Sequence, residues 1–164
     1  MRGRFLLFVL GVSLLGCGAS GGTGPTEPPA GTAQVAGTWN GSWTVAGVGI
    51  TTRMVLTQNG SAIAGTFSLL GTPFNIQGTA DSSLRISWHA VGVSCGSLSG
   101  DGTANGLNPT RISGTIDLNT LGCPDNQHVT GPVAWTKATA AASTPAGRRL
   151  TLEELGRAIA KLRP

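Results

Sequence analysis

The only imidazoles in the chain are His89 and His128. A metal centre needs three or four converging ligands, and no spacing of His, Cys, Asp or Glu around either one supplies them. His89 follows Trp88 in an alternating run, which directs it away from the core, while His128 falls in the loop after Cys123. A pair of carboxylates could do acid–base work. Asp81, Asp101, Asp117 and Asp125 all stand at or beside expected turns, however, where Asp caps backbone N–H groups. Serines are numerous, yet no Gly-x-Ser-x-Gly elbow stands on a strand-to-helix turn. The sequence therefore predicts no catalytic residue, no metal and no cofactor, and a chain that is not an enzyme.

Cysteine chemistry is better marked. Arg2 and Arg4 give a positive start, and the apolar run from Phe5 to Leu15 is too short to span a ~30 Å hydrocarbon core. Leu14-Leu15-Gly16-Cys17 resembles the lipobox of bacterial lipoproteins, in which a leucine and two mostly small residues precede the cysteine that receives diacylglycerol. Leu15 departs from the small residue commonest at its place. The resemblance implies a signal peptide over 1–16 and a lipidated, palmitate-bearing Cys17 as the first mature residue. Gly18, where aspartate would imply inner-membrane retention, implies the outer membrane, on its periplasmic or surface face. Each buried methylene contributes ~0.8 kcal/mol, so two or more acyl chains anchor stably where one does not. In that oxidising compartment Cys95 and Cys123 are expected to form a disulfide.

The tryptophans are the remaining candidates. Trp39, Trp43, Trp88 and Trp135 fall on apolar faces of expected strands, where they read first as core. A sharper reading has them line a pocket for a small apolar or sugar-like ligand, in space left by Gly41, Ala62, Gly65 and Gly78.

Elements that could hold these residues follow from composition and alternation. With 26 Gly and only 11% charged residues, the chain lacks the Glu, Lys and Arg that exposed helical faces need. From 35 to 137, four basic residues (Arg53, Arg85, Arg111, Lys137) balance the four aspartates. Nucleic acid, which demands a clustered basic face, is excluded as a partner. Apolar–polar alternation marks strands around Trp39–Val45, Ile50–Thr57, Ile63–Leu69, Phe74–Ala80, Leu84–Ala90, Ser97–Ala104, Ile112–Ile116 and Val129–Trp135. Asn59-Gly60 predicts a type I′ hairpin turn, and Pro132 an irregular or partly unpaired last strand. The pattern Ile-x-Gly-Thr-x recurs at Ile63, Ile76 and Ile112.

Eight short consecutive strands predict an all-β, up-and-down antiparallel β-barrel, with a β-sandwich as the alternative. Gly37-Thr38-Trp39 resembles the Gly-x-Trp opening of lipocalins and avidin-like small barrels. That resemblance implies a lipocalin-like fold with Trp39 plugging one end. The sequence offers no basic residue placed to stack on this tryptophan, and no polar set for biotin. Gly- and Pro-rich residues 17–34 form a lipidated linker, 35–137 the barrel domain, 138–150 a second linker and 151–163 a short amphipathic helix. In the helix Thr151 and Glu154 make a capping box, and Leu152, Leu155, Ile159 and Leu162 one apolar stripe. Three functions remain: a lipid-anchored, non-enzymatic module that binds a small ligand, a structural envelope lipoprotein whose packed barrel engages an envelope protein through this helix, and, least favoured, an envelope hydrolase whose residues the sequence does not mark.

Overall fold

The computed structural model describes residues 30–124, 126–139 and 152–161. The expected signal peptide over 1–16, Cys17, Asp125, Thr151 and Leu162 lie outside them. The observed elements are β1 (Gly37–Val45), β2 (Val48–Asn59), β3 (Ala62–Leu69), β4 (Thr72–Ala80), β5 (Arg85–Ala90), β6 (Ser97–Ala104), β7 (Arg111–Asn119), β8 (His128–Lys137) and α1 (Leu152–Ala160). Each strand pairs antiparallel with the next, and β8 returns to β1, closing an up-and-down barrel. Closure leaves no exposed edge.

Strand period and closure together dictate the core. Inward positions two apart are buried along every strand: Trp39, Trp43 and Val45 on β1, Ile50, Met54 and Leu56 on β2, Leu98 on β6, and Ile112, Ile116 and Leu118 on β7. An eight-stranded barrel is just wide enough for side chains to fill, and here large residues fill it.

The turns depart in detail from expectation. Gly60 and Ser61, not Asn59 and Gly60, connect β2 to β3, because Asn59 pairs with Ala62 inside the ladder. Only Gly60 has positive φ there, a Gly-first arrangement. Positive φ at both central residues, the type I′ pattern, occurs instead at Ala46-Gly47 and Leu70-Gly71, with φ of 48° and 83°, then 50° and 78°. The right-handed twist of the flanking strands selects that hand even where Ala and Leu must adopt left-handed backbone. β8 is continuous along β7, but it pairs with β1 only from Val133 to Lys137. Pro132, which has no N–H to give, marks where that seam stops.

One end of the barrel is sealed by residues 32–36. Ala33 and Val35 are fully buried, the Gln34 N–H donates to Leu107 O, and the Val35 N–H donates to Gln58 Oε1. The packed domain thus begins three residues before the expected boundary at Val35. The other end carries the loops 91–96 and 120–127, tied by the Cys95–Cys123 disulfide. Here α1 packs: Ile159 is fully buried in the barrel's core, and Gly156 approaches Thr120 and Gln127.

Candidate functional site

The four tryptophans form the interior. Trp39, Trp43 and Trp135 are at most 1% exposed, and each indole N–H has an acceptor. Trp39 Nε1 donates to Val35 O (2.8 Å), Trp43 Nε1 to Gly131 O (3.1 Å) and Trp135 Nε1 to Thr52 Oγ1 (3.1 Å). Trp88 packs against Phe67 with ring centroids 4.7 Å apart. Satisfied donors and dense contact make these residues core, which is how buried indoles are stabilised.

The glycines expected to leave room for a ligand are instead occupied. Trp135 lies against Gly41, its partner across the β1–β8 seam, and Trp88 lies against Gly100, its partner on β6. Trp43 Nε1 comes within 3.0 Å of where a Gly131 Cβ would stand. At Gly65 and Gly78 it is neighbouring backbone, from Val55 and Ser87, that fills the place of a side chain. Ala62 faces solvent rather than inward.

Trp39 does receive a cation. Lys137 Nζ sits 5.4 Å from its ring centroid and 3.4 Å from Gln34 O. This corrects the expectation that no basic residue stacks there. Only barrel closure, which pairs Trp39 with Lys137, brings the two together.

Outside the barrel, polar side chains from β4 to β8 line a concavity of ≈ 660 Å³, with Gly78, Gly100 and Trp88 in its lining. Strand register arranges them in two rows that cross the sheet. One runs Thr79, Ser87, Asp101, Thr115, and the other His89, Ser99, Asp117, Thr130, with Gln77 continuing it beside His89 outside the lining. Neighbours within the rows hold one another. Thr79 and Ser87 hydroxyls are 3.2 Å apart, Gln77 Nε2 is 3.1 Å from His89 Nε2, and the Thr115 hydroxyl donates to Asp101 Oδ1. His128 Nε2 lies 2.7 Å from Asp117 Oδ2, an exposed pair worth at most ~1 kcal/mol.

These positions revise three expectations. Asp101 and Asp117 stand in the middle of β6 and near the end of β7, not in turns, because the glycine-rich sixth segment is a full strand. Among the described aspartates, Asp81 behaves as the turn reading requires, its Oδ1 accepting from the Ser83 and Arg85 N–H groups. His128 is the first residue of β8 rather than part of a loop. The one sequence signal for the concavity was the polar phase of the alternation, and it carried no register.

Among the described residues, no group of three or more His, Cys, Asp or Glu converges as metal ligands. None of their helices is long and apolar enough to cross a membrane. No family model matches the chain, and no curated protein matches it. Among solved structures, EF1p2_mFAP2b bound to DFHBI is similar over 63% of this chain and 94% of that chain, with 14% identity and a TM-score of 0.43.

Proposed function

We propose that this chain is a lipid-anchored module of the cell envelope that binds a small ligand on the outer wall of its barrel and catalyses no reaction. The anchor rests on the lipobox-like Leu14-Leu15-Gly16-Cys17. The Cys95–Cys123 bond agrees with it, since disulfides persist on the oxidising side of membranes. The observation that carries the binding half is a contrast within the fold. Tryptophans and aliphatic side chains fill the interior, whereas a ≈ 660 Å³ concavity edged by hydroxyls, carboxylates and His89 lies open on the outside.

Binding is favoured over catalysis because, among the described residues, no serine or threonine hydroxyl hydrogen-bonds to either histidine. A nucleophile activated by a base needs that contact. The competing role, a helix that recruits an envelope partner, is weakened by Ile159, whose side chain is used up within its own barrel.

Labelled palmitate fed to bacteria expressing the full chain tests the anchor. Label should enter the wild type and be absent from Cys17→Ser, and an unlabelled wild type refutes the reading. Native mass spectrometry tests the binding half. A co-purified small molecule should be lost from Ser87→Trp, and its retention in that variant rules out the outer wall.

A further inference from the structure

We infer that the two polar rows recognise a neutral, hydroxyl-rich oligomer, an extended oligosaccharide lying across β4 to β8. This rests on the outer wall being the binding face. The lining narrows the ligand by exclusion. The outward side chains are short and polar, and the apolar part of the lining is shared with Gly78, Gly100 and Trp88 rather than gathered into one aliphatic patch, which suits the mixed faces of a sugar better than an acyl chain. Two carboxylates and no Lys or Arg line the concavity, so an anion is repelled. A compact metal cation lacks its three converging ligands among the described residues.

What remains is a surface on which hydroxyls outnumber carboxylates: Thr79, Ser87, Ser99, Thr115 and Thr130 against Asp101 and Asp117. Hydroxyls both donate and accept, so they suit a partner that does the same, whereas a polyamine can only donate. Asp101 Oδ2 and Asp117 Oδ1 have no hydrogen bond within the described residues, while the other oxygen of each is held by Thr115 or His128. Each carboxylate therefore offers one oriented acceptor for a sugar hydroxyl.

Spacing favours an oligomer. Neighbouring strands stand ~4.8 Å apart and same-face residues ~6.6 Å apart along a strand, so the rows form a grid whose cross-strand step is close to one sugar ring. Five strands carry it along an arc of ~19 Å around the curved wall of the closed barrel. Because the side chains stand on strands and brace one another, little ordering cost accompanies binding.

A microarray of neutral oligosaccharides (α- and β-linked hexose and N-acetylhexosamine series), probed with the full chain in detergent, tests this, with spermine as the alternative probe. Saturable binding to one series, tightening with chain length, is expected. Asp101→Ala with Asp117→Ala should weaken it at least tenfold, and Ser87→Trp should abolish it, with melting temperatures in both lowered by no more than a few degrees. No glycan binding, or binding to spermine alone, overturns the ligand class. If Ser87→Trp blocks the spermine, the outer wall still stands as the site. Glycan binding that Ser87→Trp leaves intact overturns both.

Discussion

Opening the Cys95–Cys123 bond gives the most quantitative test of how this barrel is held together. The two cysteines are 28 residues apart and join the β5–β6 and β7–β8 loops at the end where α1 packs. In the chain-entropy model, a 28-residue loop restrains the unfolded chain by about 12 cal/mol/K, or about 3.6 kcal/mol at 25 °C. A domain of roughly 100 residues melts about 4–5 °C lower per kcal/mol lost, so the midpoint should fall by about 15 °C. Two perturbations separate the entropy from the packing. Reduced wild type keeps both sulfur atoms, whereas Cys95→Ala with Cys123→Ala also removes the nearly buried Cys123 sulfur and should cost slightly more. Urea unfolding followed by tryptophan fluorescence reads both, with the m-value as a check on the unfolded state. A loss below about 1 kcal/mol at unchanged m, or a midpoint indifferent to reductant, would falsify the reasoning.

Ile159→Ala removes a fully buried side chain and should cost about 2–4 kcal/mol, capped by whatever α1 gains from docking. Deleting 148–164 should cost at least as much, and an unchanged melting temperature would show that the helix does not serve its own barrel. Gly41→Ala drives a methyl into the Ala134 carbonyl oxygen and the Trp135 ring, so it should cost about 3 kcal/mol or more in denaturant titration. At Gly47 (φ 83°) nothing lies within 4 Å, so Gly47→Ala should cost only the ~1 kcal/mol of left-handed backbone, and equal effects at the two sites would refute the packing argument. Lys137→Ala should shift Trp39 emission and cost ~0.5–1 kcal/mol, with Lys137→Arg restoring both. An unaltered spectrum would remove the cation from the seal.

Fold was legible because a closed barrel imposes a period of two on every strand, and this chain obeys it from Trp39 to Trp135. Even the weak sixth segment, poor in large side chains, is a strand: its glycines are the seats on which neighbouring tryptophans and backbone rest. Relations that depend on register were not legible. Nothing local says that Lys137 returns to Trp39, that Trp135 lies on Gly41, or that Asp101 meets Thr115, since each needs the pairing of distant or neighbouring strands to be known. Small residues such as Gly41 suggest space inside the barrel, but small residues also admit large neighbours such as Trp135. The polar phase of the alternation, whose aspartates read in sequence as turn caps, is where the concavity lies.

The seam between β1 and β8 has a further consequence for how the molecule forms. Seven of the eight pairings are hairpin-local and can form early, because closing short loops costs little entropy. The eighth joins the two ends of the domain: Trp43 bonds to Gly131, 88 residues away. Such a contact raises contact order and slows folding, so ring closure is expected to be the last committed step. A strip of seven joined hairpins, with the faces that hold Trp39, Trp43 and Trp135 still wet, would be the species most exposed to aggregation or to pairing with a second strip. The chain thus delays burying its largest apolar side chains until β8 has been made and can return to β1.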